Sequence, residues 1–219
     1  MPNENFLTYI ESDPNSRLTV TADRVTFTAL PRNEGAPIIY KDMGVAYFNA
    51  DYEIRFTINI SSQDTGNVLP VLVLTNYLGS MGGLIADLDD AIFVLVENPS
   101  GADPRRIDIA EVVNGSVTTS DHFAQTFGTT YYCKLVRDES VGTYGWMYLY
   151  FYSDGARTNL VATVSLALNS KEDFRYIWAV GNYNTGSTQA ISGYIEKVLL
   201  LPAKYTTTHY QLGAYKRQP

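Results

Sequence analysis

Residues 51–60 alternate strictly. Tyr52, Ile54, Phe56, Ile58 and Ile60 share one side, and Glu53, Arg55, Thr57 and Asn59 share the other. Side chains of a strand point to opposite faces in turn, so this pattern predicts a strand with one face in a core and the other in water. Residues 146–152 repeat the alternation with aromatics. Met147, Leu149 and Phe151 point one way, and Trp146, Tyr148, Tyr150 and Tyr152 the other. Phe174, Tyr176, Trp178 and Val180 form a third one-sided set, read as core because tryptophan is usually buried. Residues 68–74 and 91–97 are continuous apolar runs whose length and valine content favour buried strands over short helices.

Turn signals separate these segments. Asn114-Gly115 is the strongest short-range hairpin dipeptide and joins strands at 105–113 and 115–119. Residues 98–104 carry two prolines and a glycine and read as a loop. Further strands are predicted at 17–21, 24–28 and 38–40, with later turns at 138–145, 153–156, 169–173 and 182–188. No helical period and no fixed repeat is visible. Many short strands without helices predict an all-β, two-sheet antiparallel β-sandwich or jelly roll. At 219 residues the chain suits one β domain over 1–219, with 205–219 as an edge strand or a tail. The 17 tyrosines, against 9 phenylalanines and 2 tryptophans, fit half-buried pleated surfaces.

The order of the C-terminal segments adds to this. Tyr131-Tyr132-Cys133-Lys134-Leu135-Val136-Arg137-Asp138, then Met147 to Asp154, Arg157 to Val161, Phe174 to Trp178, and Ile191 to Val198 follow one another as short strands. That order resembles the concanavalin A-like lectin/glucanase superfamily, in its laminin-G-like branch. Ile39 to Gly44 and Phe48 to Ile54 look like opening segments of the same relatives. The resemblance implies a concanavalin A-like jelly roll, glycan binding on the concave sheet or its loops, and in many relatives a structural calcium ion.

Charge and cysteine content narrow the partners. The formal net charge is −7 and no basic stripe is visible along the chain, so neither nucleic acid nor an anionic membrane is expected. The single Cys133 cannot form an internal disulfide and is read as core. Residues 1–12 lack a basic start followed by an apolar run. Synthesis in the cytosol is expected, with incorporation in a virion as one destination.

Trp146, Tyr148 and Tyr150 are the candidate ligand-binding residues. Sugar rings present apolar C–H faces to such rings, and phenol hydroxyls bond sugar hydroxyls. Outward tyrosines also form cross-strand pairs or pack beneath a loop or a second subunit, which leaves a homo-oligomer contact open. Arg106-Ile107-Asp108-Ile109-Ala110-Glu111 is similar to the glucanase carboxylate motif, with Arg106 at the nucleophile position and Asp108 and Glu111 at the other two. Retaining hydrolysis needs two flanking carboxylates, one of them the nucleophile, so no catalytic residue is assigned and no enzyme is expected. Asp87, Asp89 and Asp90 could ligate calcium or simply form a solvated turn; no other cofactor is read. The expected function is therefore a non-catalytic module recognising a glycan or glycosylated surface. A structural component of a virus or phage particle, contacting other virion subunits, is the alternative, and a glycoside hydrolase the third.

Overall fold

The structure is a computed structural model that describes residues 2–35, 37–99 and 104–202. The segment 205–219, expected as an edge strand or tail, lies outside the described residues. The first strands are β1 (Ile10–Ser12), β2 (Leu18–Val20), β3 (Arg24–Pro31), β4 (Ile38–Asp42), β5 (Tyr52–Gln63) and β6 (Val68–Thr75). A short helix α1 (Met81–Ala86) precedes β7 (Ala91–Glu97), β8 (Arg106–Val113), β9 (Ser116–Thr119) and β10 (Phe123–Ala124). The chain continues through β11 (Thr130–Asp138), β12 (Trp146–Tyr152), β13 (Leu160–Ala167), β14 (Tyr176–Val180) and β15 (Ala190–Pro202).

These strands form the expected two-sheet antiparallel sandwich. The seven-stranded sheet runs β13-β12-β11-β5-β15-β3-β2, and the eight-stranded sheet runs β1-β4-β14-β6-β7-β8-β10 with β9 on β8. The β8–β9 hairpin turns at Asn114 and Gly115, whose φ values of 48° and 75° are those of a primed turn.

The main core lies between the sheets. Ile54, Phe56 and Ile58 of β5, Cys133 and Leu135 of β11, and Met147, Leu149 and Phe151 of β12 meet Leu69, Val94 and Ile109 of the facing sheet. Cys133 is fully buried, and burial pushes its thiol up and out of reactive range.

The eight-stranded sheet is also covered on its outer side. Met81 and Leu84 of α1 pack with Val73, Phe93, Ala110 and Trp178 in a second apolar cluster. Two buried faces explain why β6 and β7 read as continuous apolar runs rather than alternations. The set Phe174, Tyr176, Trp178 and Val180 is not one-sided. A register shift between Trp178 and Val180 sends Val180 to the main core with Ile177, while Trp178 and Tyr176 belong to the outer cluster. Helix α1 itself was not legible as a helix, because six residues are too short to show a period. Among the described residues, no helix is long and apolar enough to cross a membrane.

Core position predicts stability. Ile58→Ala should cost about 2–5 kcal/mol, as large-to-small core changes do. Val161→Ala, at a 51%-exposed site on the edge strand β13, should stay within about 0.5 kcal/mol. Chemical denaturation of the two variants checks the ranking.

Candidate functional site

The outer face of the seven-stranded sheet departs from expectation most. Glu53, Thr57 and Asn59 were expected in water, yet they are only 4%, 1% and 9% exposed. The face that alternates with the core is therefore a sunken polar floor. Charged residues are rarely buried this far without partners, so such a floor calls for an explanation.

Strand pairing turns the floor into a grid. Arg55 lies opposite Lys134, which lies opposite Tyr150. Thr57 lies opposite Tyr132, which lies opposite Tyr152, and Glu53 opposite Val136 and then Tyr148. Arg55 donates to Glu53 at 2.5 Å, and the Lys134 Nζ sits 4.5 Å from the centre of the Tyr150 ring. Side chains of Arg55, Thr57, Tyr132, Arg157 and Lys197 line a pocket of about 200 Å³ on this face.

Two of the cations arrive by strained backbone. Arg157 (φ 56°) and Lys197 (φ 54°) are left-handed non-glycine residues. Such conformations cost on the order of 1–3 kcal/mol and concentrate at functional sites. Lys197 sits where β15 breaks register with β5, between Glu196 and Leu199, a bulge that re-aims the side chain. Arg157 belongs to the β12–β13 turn, which the Asp154 carboxylate holds by accepting from the backbone of Thr158 and Asn159. Those bonds, led by that from Asn159, hold Asp154 below the usual carboxylate range. From that turn Arg157 reaches back over the sheet, its Nε donating to the Cys133 carbonyl and its Nη2 to the Phe56 carbonyl, each at 3.1 Å.

The electrostatics follow from crowding. Burial lowers Lys134, with Arg55 and Arg157 adding to the effect and Glu53 opposing it. Burial and the neighbouring Arg55 lower Arg157. Burial raises Tyr150 and Tyr152, which stay protonated phenols at neutral pH. Among the described residues, Arg157 forms no salt bridge. This is a cationic, tyrosine-flanked niche in a chain of net charge −7, suited to an anionic group held beside a proton donor and a proton acceptor.

Trp146, Tyr148 and Tyr150 lie on the same face, half-buried, while Met147, Leu149 and Phe151 are fully buried on the other side of β12. Ring centroids are 6.1 Å apart for Trp146–Tyr148 and 6.3 Å for Tyr148–Tyr150, with nearly parallel planes. The structure thus brings the aromatic row against the cationic niche. The sequence reading missed Arg55, Lys134, Arg157 and Lys197 as a group, because they come from four separate segments. A larger hollow of about 320 Å³, lined by residues 47–54, Leu200 and Leu201, borders the floor at Glu53; no lysine or arginine lines it.

The other candidates do not assemble. Asp108 points to the outer side of the eight-stranded sheet with Ala110, whereas Glu111 points inward with Ile109. Carboxylates on opposite faces cannot flank one glycosidic bond. Glu111 instead accepts from the backbone of Asn169 and Ser170, a structural tie. Asp87, Asp89 and Asp90 do not converge: the Asp90 carboxylate is engaged by the Asn114 N–H. Among the described residues no group of three or more His, Cys, Asp or Glu is placed to hold a metal ion.

No protein-family model and no curated protein sequence matches the chain. Solved structures do. The alginate lyase Aly36B is similar with a TM-score of 0.58 at 14% identity, covering 90% of this chain and 88% of that one. An endo-β-1,4-glucuronan lyase from the fungus Trichoderma reesei gives 0.54 at 11% identity, covering 91% and 93%. A legume lectin-like domain from Entamoeba histolytica gives 0.55 at 11%, covering 88% of each chain. A double mutant of Aly36B has also been solved in complex with an alginate trisaccharide. The sandwich is of the concanavalin A-like kind, and its likenesses include glycan-degrading lyases. That finding corrects the expectation of a non-catalytic binding module, or a virion component, that is not an enzyme. The argument against catalysis rested on a missing glycosidase carboxylate, which an eliminating enzyme does not use.

One prediction concerns Asp108. Burial, then Glu97, push its carboxyl up to about 7 against the opposing pull of Arg106. A raised carboxyl favours the folded state while it is protonated. Stability tied to it is present below the ordinary range near pH 4 and is lost as pH rises through about 7. Asp108→Asn should therefore raise the melting temperature at pH 8 and flatten the decline between pH 4 and 8, as read by thermal scans across pH.

Proposed function

We propose that this chain is a polysaccharide lyase that cleaves a uronate-containing glycan by β-elimination on the outer face of the seven-stranded sheet. The observation that carries the reading is the cluster of Arg55, Lys134 and Arg157 beside Tyr150 and Tyr152 on a sunken floor. The reading takes residues 1–219 as one jelly-roll domain. The laminin-G-like branch is a proposal of the same standing, supported by the residue pattern of β11 to β15.

The chemistry follows from the substrate's weakest C–H bond. In a uronate, the C5 proton lies next to the carboxylate and the glycosidic oxygen leaves from C4. Removing that proton builds negative charge on the carboxylate, which donors and cations fixed beforehand stabilise most effectively. Arg55 and Arg157 supply them. Lys134, with its ammonium destabilised by burial, is the group that takes the C5 proton. A phenol, Tyr150 or Tyr152, returns a proton to the leaving oxygen. The C4–O bond breaks, a C4=C5 double bond forms and no water is consumed. The related structures support the reading by fold alone, since lyases of alginate and glucuronan use the same sandwich.

The test is the ultraviolet absorbance of the conjugated, unsaturated product on incubation with a panel of uronate-containing polymers. The absorbance should grow with the native protein and fall about 10²–10⁴-fold in Lys134→Ala, the span of a lost general base. Products lacking the double bond, or full activity in Lys134→Ala, would contradict the proposal. The base must be neutral to work, so kcat/KM should rise with pH through a lysine ionisation below the ordinary value of about 10.4. That rising limb should disappear in a variant without Lys134.

A further inference from the structure

The aromatic row and the cationic niche share one strand but carry opposite electrical settings. At Tyr150 the neighbours on this face are Lys134 and Thr163; at Tyr148 they are Val136 and Ser165; at Trp146 they are Asp138 and Ala167. The sequence of environments along β12 therefore runs from a cation, through uncharged side chains, to a carboxylate. From Tyr150 to Trp146 is four residues, roughly 13 Å of strand. That exceeds the screening length of about 8 Å at physiological salt, so the cations of the niche do little for a charge beside Trp146.

A sugar seated on Trp146 and Tyr148 meets ring surface, hydroxyl-sized polar groups and Asp138. A carboxylate there would face Asp138 with no lysine or arginine on the flanking strand positions, whereas a neutral pyranose would lose nothing. The Trp146 indole is also held in place: Gly142, in the turn before β12, approaches so closely that a Cβ there would sit 3.0 Å from Nε1. A ring fixed before the ligand arrives loses little freedom on binding.

We infer that the glycan recognised here is a mixed polymer, with its uronate at Arg55, Lys134 and Arg157 and neutral sugars on the Trp146–Tyr148 strip, rather than a homopolyuronate. The inference rests on the lyase reading for the uronate position and adds the identity of the flanking residues. It makes Trp146 and Tyr148 specificity-determining residues.

The experiment pairs binding with turnover. Probes are a polymer alternating glucuronate with glucose, and the homopolymers alginate and glucuronan. Binding is read by calorimetry and cleavage by product absorbance, for the native protein, Trp146→Ala, Tyr148→Ala and the ring-retaining Trp146→Phe. Circular dichroism establishes that each variant is folded. The expected result is at least a 10-fold higher kcat/KM on the alternating polymer. That preference should be lost through KM in both alanine variants and largely kept in Trp146→Phe. Equal or better turnover of the homopolymers, or a preference unchanged in the alanine variants, overturns the inference. Preferential binding of the alternating polymer without cleavage of any probe keeps the inference and removes the lyase reading. Absence of binding to every probe overturns both.

Discussion

β5 is paired along both edges, to β11 and to β15, and its alternate residues fill the centre of the core. A one-residue slip would carry Ile54, Phe56 and Ile58 out of that core and drive Glu53, Arg55 and Thr57 into it. The register is therefore held by burial of large side chains. The same lock fixes what the other face can be: every core residue commits its neighbours outward, in a set order. Lys134 stands beside Arg55 because Leu135 stands beside Ile54. The site is a by-product of the core's period, which is how a rigid sheet positions polar groups without flexible loops.

Placing like charges side by side on that floor is unfavourable. Burial lowers Lys134 and Arg157, the Arg55 charge adds to both and the Arg157 charge to Lys134, and Glu53 opposes them only in part. Arg157 and Lys197 themselves adopt left-handed backbone where they enter the same pocket. The turn that presents Arg157 is braced by Asp154 rather than left loose. Strain, burial and charge crowding converge on one place, and an arriving anion would relieve the charge crowding. Core packing elsewhere in the molecule absorbs the expense.

Much of the architecture was legible in the sequence, because period-two alternation survives wherever one face is dry. β5 and β12 show it, and so does the Asn114-Gly115 hairpin. The misreadings have physical causes. β14 breaks its alternation at a bulge, which no residue type announces. β5's polar face was read as wet, since alternation distinguishes apolar from polar but not buried-polar from exposed-polar. The outward placement of Trp146, Tyr148 and Tyr150 was legible because the rings alternate with core residues along one strand. The cationic niche was not, because its members are brought together by strand pairing and by one turn. The glucanase-like Asp108 and Glu111, set aside in the sequence because Arg106 holds the nucleophile position, also lie on opposite faces, since an odd spacing on a strand separates them. The expectation that the chain is not an enzyme weighed only the carboxylates of glycoside hydrolysis, and the likeness to polysaccharide lyases overturns it.

The central claim is that the niche around Lys134 is built to hold a carboxylate. Nuclear magnetic resonance of the lysine side chains, labelled at the ε position, measures this directly by titrating Lys134 with and without a saturating uronate oligosaccharide. The account predicts a Lys134 ionisation below that of the other lysines in the free protein, moving upward when the oligosaccharide binds, because a nearby anion favours the ammonium. A Lys134 that titrates as an ordinary surface lysine and does not respond to the oligosaccharide would contradict it.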